Sequence, residues 1–163
     1  MMDQKKIQEL ISRSQQEDAA AFSLLVSTFQ PLVFRLAFRL LCDEDEAKDM
    51  VQETFVKVWL ALGKYNGECR FSTWIYKITC NTCYDRLRSL YHSPLDNEAD
   101  YSVSVNISSD DNVELAVVNK QLRELILRYT DELSPRQRLI FTLRDIEELD
   151  VPEVQTITGL SAG

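Results

Sequence analysis

The sequence predicts an all-α protein of two small helical domains joined by a flexible acidic linker. Three observations carry that reading. Gly and Pro number only four each, and so few breakers favour long helices over a many-turned β sandwich or barrel. Apolar residues recur at helical spacing on both sides of the middle of the chain. Between them, residues 93–112 (SPLDNEADYSVSVNISSDDN) are rich in Ser, Asp and Asn and poor in large apolar side chains, which is linker composition. The alternation of Val103, Val105 and Ile107 would suit a short strand, but no partner strand is visible in the sequence. The expected division is a first domain over 1–92, the linker over 93–112 and a second domain over 113–163. A length of 163 residues with 45% hydrophobic and 27% charged residues is enough to bury one modest core or two small ones.

In the first domain, Asp18 is placed to cap a helix with Phe22, Leu25, Val26 and Phe29 inward. Pro31 suits the first position of a second helix, with Leu32, Val33, Leu36, Leu40 and Leu41 buried. Asp43 followed by Glu46 has the spacing of a capping box and opens a third helix. Its stripe is Ala47, Met50, Val51, Phe55, Val58 and Leu62, and Gly63 is its expected stop. A loop over 64–70 leads to a fourth helix, capped by Ser72 or Thr73 and running to about Leu90.

The second domain opens with a helix over about 113–129. Ser134-Pro135-Arg136-Gln137 then offers Ser at N-cap, Pro at N1 and Gln at N3, a strong start signal. Leu139, Ile140, Leu143 and Ile146 form the inward stripe. Asp150 with Glu153 starts a short helix carrying Val154, Ile157 and Leu160, and Gly159 suits its left-handed end. Ser161 would cap a further helix. The pattern is that of a helix-turn-helix that stops before its recognition helix.

The first ten residues lack the apolar stretch of a signal peptide. No run reaches the roughly 18 apolar residues of a membrane helix, since Arg35 and Arg39 interrupt the most apolar region. A cytoplasmic protein with no membrane insertion of its own is expected. Cys42, Cys69, Cys80 and Cys83 are then free thiols. Cys80 and Cys83 form a lone CxxC with one histidine in the chain, His92, which is too little for a zinc site. No glycine-rich phosphate loop, GxSxG or second histidine is present, so neither an enzyme nor a cofactor or metal is expected.

The formal net charge of −8 argues against coating nucleic acid by bulk charge, but the charges are blocked. Residues 43–53 hold six acids against Lys48, and 64–92 hold five bases against Glu68 and Asp85. Residues 94–114 hold six acids and no base, and 119–145 hold six bases against four acids. Two constellations stand out. Asp49, Gln52 and Glu53, at i, i+3 and i+4, share a helix face turned from the apolar stripe. On charge pattern alone they read first as a solvated helix start, and as a docking face for a basic partner surface second. The segment 64–88 interleaves bases with Tyr65, Phe71, Trp74, Tyr76 and Tyr84. Rings that stack on bases and cations that follow phosphates are the ingredients of single-strand binding, and Asn81 adds an amide able to read a base edge. Core packing is the alternative for the same rings.

Three segments, DEDEAKDMVQETFVKVW (43–59), YNGECRFSTWIYKITCNTCYDRLR (65–88) and LSPRQRLIFTLRDIEELDVPEVQTITGLSAG (133–163), resemble bacterial sigma factors of the extracytoplasmic-function (ECF) group of the sigma-70 family. The resemblance spans about 15–92 and 113–163. It implies an all-helical initiation subunit of RNA polymerase, with a region 2 domain, a linker and a region 4 domain. Asp49, Gln52 and Glu53 match the segment that docks on the clamp of the polymerase β′ subunit. Tyr65, Asn66, Arg70, Phe71, Trp74, Lys77 and Asn81 match the part that captures unstacked nontemplate bases at the −10 element. The second domain matches the module that reads the −35 duplex and contacts the β flap, with Ser161 at the edge of an incomplete −35 reader. Relatives continue past the matching position into a basic recognition helix. Many are held by an anti-sigma factor, so promoter DNA, core polymerase and such an inhibitor are the implied partners. Two other readings stay open on the sequence: a helix-turn-helix regulator acting without polymerase, and a truncated sigma-like interaction protein.

Overall fold

Asp18, Asp43, Ser134 and Asp150 cap helix starts at the expected places. The computed structural model describes residues 2–91 and 113–161. The expected linker at 93–112, with Val103, Val105 and Ile107, lies outside the described residues, as does any helix beyond Ser161. Among the described residues there are seven α-helices: α1 (Gln4–Gln15), α2 (Ala19–Leu41), α3 (Glu44–Ala61), α4 (Phe71–Tyr91), α5 (Val113–Thr130), α6 (Pro135–Phe141) and α7 (Val151–Thr158). A 3₁₀ turn, Leu62–Lys64, follows α3, and a π turn, Thr142–Ile146, extends α6. No strand occurs among the described residues.

α1 was not expected. Its polar composition hides a short stripe of Ile7, Leu10, Ile11 and Ser14, of which Leu10, Ile11 and Ser14 are buried. The chain turns through a left-handed Glu17, and Asp18 then serves both neighbours. Its Oδ1 accepts from the Ala21 N–H at 3.0 Å and its Oδ2 from Arg13 Nη2 at 2.7 Å. That N–H, reinforced by Arg13, lowers the Asp18 pKa.

α2 corrects the expected break at Pro31, because one helix runs through it. Proline removes the N–H that would bond the Ser27 carbonyl and presses its ring against that carbonyl. Tertiary packing overrides this cost. Phe29 and Val33, on either side, are buried in the same cluster, while Pro31 itself is exposed. Pro31→Ala should therefore stabilise the fold by about 1–2 kcal/mol, restoring one hydrogen bond against some loss of unfolded-state restriction. A higher urea midpoint at unchanged slope is the expected result.

α2 is 23 residues long with a mean hydropathy of 1.5 in its most apolar window, enough by length and composition to cross a membrane. Its apolarity has another explanation. Leu25, Phe29, Val33, Leu36 and Leu40 are all buried because α1, α3 and α4 pack around it.

Asp43 caps α3 by accepting from the Glu46 N–H at 2.9 Å. The reciprocal half of the expected capping box is absent: both Glu46 oxygens accept from Arg86 of α4 at 2.6 Å. A bidentate guanidinium is a stronger partner than one backbone N–H, so the pair fastens α3 to α4 instead. The expected stripe of α3 is buried throughout. Gly63 is not a left-handed stop; the helix tightens into the 3₁₀ turn, and the positive φ comes later, at Gly67 (78°). α4 starts at Phe71, two or three residues earlier than a Ser72 or Thr73 cap implies, with the Trp74 N–H bonded to the Arg70 carbonyl at 3.0 Å.

Both second-domain caps form as expected. Ser134 and Gln137 make a full capping box with Pro135 at the start of α6. Asp150 and Glu153 make another on α7, which ends at a left-handed Gly159 (φ 70°). Of the expected stripe, Leu139 and Leu143 are buried and Ile140 and Ile146 half-buried. The π turn between them was not foreseen.

The core forms two clusters. One joins α1, the first half of α2, α3 and the start of α4 around Leu25, Phe29, Val33, Phe55, Val58 and Ile75. The other joins the second half of α2 with α4, α6 and α7. The expected second domain thus packs on the first through α4.

Candidate functional site

Two surfaces of the α3–α4 pair present the sequence-derived candidates. On α3, Asp49, Gln52 and Glu53 are all exposed, while Met50, Val51, Thr54 and Phe55 are buried behind them. Glu53 pairs with Lys57 at 2.8 Å, and Lys57 donates to Thr82 Oγ1 of α4 at 3.3 Å. Asp49 has no ion pair among the described residues.

Sequence reasoning missed what lies beside this face. Val56 is 58% and Leu60 75% exposed. With Phe22, Val26, Trp59 and Gln52 they line an open groove of about 470 Å³ between α2 and α3. The signal was present as two apolar residues off the inward stripe, at i+4 and i+8 from Gln52.

The second surface begins in the loop after α3. Asn66 Oδ1 accepts from the Glu68 N–H at 3.1 Å, and Gly67 supplies the left-handed turn. The Tyr65 hydroxyl donates to the Cys69 carbonyl at 2.6 Å. From α1, Gln15 Nε2 donates to the carbonyls of Leu62 and Tyr65, each at 3.0 Å. The unexpected first helix thus holds this loop.

The rings divide into two roles. Tyr65 and Phe71 are buried, with Phe71 edge-on to Phe29 at 5.4 Å. Trp74 lies over them, 5.2 Å from Tyr65 and 5.6 Å from Phe71, and keeps part of its surface exposed. Tyr65 and Phe71 therefore shape a platform from below, and Trp74 is the ring that solvent reaches.

From Arg70, the positions 74, 77 and 81 follow at i+4, i+7 and i+11, which is one stripe of a helix. Arg70, Lys77 and Asn81 are exposed. Among the described residues, neither Arg70 nor Lys77 makes an ion pair, and the Asn81 side chain has no hydrogen-bond partner. The stripe continues to Tyr84 and Arg88, whose guanidinium stands 5.7 Å from the Tyr84 ring centre. Those two extend the candidate set; the spacing of 18 residues from Arg70 to Arg88, five helical turns, was their signal.

Ser161 is exposed and lies just past the turn at Gly159, away from both surfaces in sequence. The thiols are free. Burial pushes Cys83 up to about 12 and raises Cys80 and Cys42 as well, so these three are unreactive in the folded chain. Cys69, half-buried in the loop, is the accessible one.

Residues 25–92 match the family described as Sigma-70 region 2, and residues 123–163 match Sigma-70, region 4. The whole chain is similar to the ECF RNA polymerase sigma-E factor of Escherichia coli K12, at 31% identity over 88% of that protein. The sigma-E factor of Salmonella typhimurium LT2 gives the same values. The RNA polymerase sigma-H factor of Pseudomonas aeruginosa is 29% identical over 88% of its length. In the solved complex of CnrH with the cytosolic domain of CnrY, a similar fold covers 98% of this chain and 85% of that one, with a TM-score of 0.62 at 21% identity.

Proposed function

The chain belongs to the ECF group of the sigma-70 family and is an RNA polymerase sigma factor acting in transcription initiation; from that premise we propose how its surfaces divide the work. The α3 face of Asp49, Gln52 and Glu53 docks on the β′ clamp of core polymerase, and the groove at Val56 and Leu60 adds apolar contact at its edge. The exposed acids suit a basic partner surface, and a charged rim speeds encounter. The α4 stripe captures the nontemplate strand at the −10 element. Trp74 stacks on a base, Arg70 and Lys77 follow the phosphates, and Asn81 reads a base edge. Tyr65, Asn66 and Phe71 hold the shape of that site.

The single observation that carries this reading is the stripe itself. Arg70 just before α4 and Lys77 and Asn81 on it, all exposed and without internal polar partners, share one helix face with Trp74, whose ring packs on Tyr65 and Phe71 while part of it stays open to solvent. Residues 113–163 serve the −35 duplex and the β flap, with Ser161 among the residues toward that duplex. The work is cytoplasmic, the chain needs no cofactor or metal and is a regulatory subunit rather than an enzyme, and an anti-sigma factor is a further partner. The net charge of −8 fits a DNA reader that depends on a large partner, since weak phosphate neutralisation keeps the free factor off bulk DNA. Co-elution with core polymerase tests the first step: a complex on size exclusion supports it, and a chain that elutes alone at micromolar concentration refutes it.

A further inference from the structure

The first helix reaches the loop after α3 through one side chain. Gln15 is the last residue of α1. Its Nε2 donates to the carbonyls of Leu62 and Tyr65, each at 3.0 Å. A primary amide carries two N–H donors, so each carbonyl receives one. Leu62 is the C-cap of α3, where helix carbonyls lack partners within the helix. The match to Sigma-70 region 2 begins at residue 25, so α1 lies outside it, and no role for Gln15 follows from that match.

With Gln15 in place, every polar group of Tyr65 is engaged. Its N–H donates to the Leu62 carbonyl at 3.1 Å, its carbonyl accepts from Gln15, and its hydroxyl donates to the Cys69 carbonyl at 2.6 Å. Its ring centre stands 5.2 Å from those of Phe71 and Trp74. The hydroxyl bond closes the base of the loop and leaves Asn66, Gly67 and Glu68 as an exposed tip. The corner that presents Gln15 is itself fastened. Arg13 donates to Asp18 Oδ2 from Nε at 2.9 Å and from Nη2 at 2.7 Å, across the left-handed Glu17.

We propose that Gln15 is a positioning residue for base selection at the −10 strand: it holds the loop over 65–69 at a fixed distance from Trp74. This rests on the reading above, in which that loop and the α4 stripe take the strand. Attraction of Arg70 and Lys77 to phosphates is independent of sequence. Selection among bases needs contacts to base edges in a fixed geometry, and a site carried on a loop depends on the groups that brace it. Gln15 is such a brace. It is exposed, so it supplies hydrogen bonds to the loop and little packing to the core. It touches no base, and acts through Tyr65.

Three variants of the full chain test this. Gln15→Met keeps an unbranched side chain with good helix propensity and removes both donors. Gln15→Glu sets a carboxylate against the two carbonyls. Gln15→Arg supplies donors again. With core polymerase present, the wild type should prefer the −10 strand over a scrambled one by about tenfold or more, the worth of one good base-edge contact. Met and Glu should reduce that preference to about threefold or less, and Arg should return it to within about twofold of the wild type. A ratio of affinities cancels the altered charge, because the phosphate attraction is the same for both strands. Core affinity should stay within about twofold, since no variant touches the α3 face. Exchange of the Tyr65 and Glu68 amides should be about fivefold faster or more in the Met variant, reporting the loosened loop.

A purely structural brace would speed that exchange and leave the preference intact, which would overturn the proposal. So would a Met variant whose amides exchange at the wild-type rate, or an Arg variant as unselective as the Met one. The underlying reading fails differently. A wild type without preference between the strands defeats the assignment of α4 and this proposal together, whereas a wild-type preference that survives in the Met and Glu variants defeats the role of Gln15 alone.

Discussion

Replacing Asp49 and Glu53 together by lysine should weaken core polymerase binding by about 30- to 1,000-fold, or 2–4 kcal/mol, the range for reversing charges that meet opposite charges in an interface. The helix itself should survive. Both residues are exposed and lie beyond the first turn of α3, where the dipole acts. Glu53 also gives up its bond to Lys57, but Lys57 keeps Thr82, and an exposed i,i+4 pair stabilises by only about 0.3–0.5 kcal/mol. The new lysines come near Arg86, whose charged form Asp49 and Glu53 now favour alongside the larger effect of Glu46. Asp49→Asn with Glu53→Gln is therefore the cleaner control. It removes the attraction without adding repulsion, and should give an intermediate loss. Binding of an isolated −10 strand in the presence of core should change only as far as core binding does. Retained core affinity in the lysine variant, measured by fluorescence anisotropy, would reject this face as the docking site.

The second large effect is expected on α4. Lys77→Ala with Asn81→Ala should weaken capture of the nontemplate strand by about 2–4 kcal/mol, combining a base-edge contact of about 1–3 kcal/mol with one phosphate contact. Folding stability should move by no more than about 0.5 kcal/mol, since both side chains are exposed and substitutions at such positions rarely do more. Core affinity should be unchanged. Trp74→Ala is less informative on its own. Its ring packs on Tyr65 and Phe71, so it should lose strand capture and stability together, and Phe71→Ala should cost about 3–5 kcal/mol of stability as a buried aromatic. If the Lys77/Asn81 variant lost core binding as much as strand binding, the stripe would be structural rather than a reader.

Much of the fold could be read in the sequence because short-range chemistry determines it. Asp18, Asp43, Ser134 and Asp150 each cap a helix by accepting a backbone N–H. Gly159 ends α7 in the one conformation that favours glycine. The misses share a cause, which is that a distant partner outweighed a local rule. Packing on three neighbours carries α2 through Pro31. Arg86, forty residues away, takes the carboxylate that local spacing would give to the α3 start. α1 escaped notice because three apolar residues in a polar segment make a weak stripe until α2 covers it.

The site was legible by residue type but not by depth. Asp49, Gln52 and Glu53 face solvent as their spacing predicts. Tyr65 and Phe71 carry no mark in the sequence to separate them from Trp74, yet they are buried and it is partly exposed. Only the packing against Phe29 assigns them to the floor of the site. The contact between the C-terminal helices and α2–α4 was invisible, because it joins residues about a hundred positions apart across a segment of linker composition.

The most direct test mixes the chain with core polymerase and a forked promoter whose −10 nontemplate strand is exposed, and measures the affinity of the complex against the same fork with that strand scrambled. Core-dependent binding with a preference of at least tenfold for the −10 strand is the result expected. Binding that needs no core, or that ignores the sequence of the exposed strand, would contradict the division of labour assigned to α3 and α4.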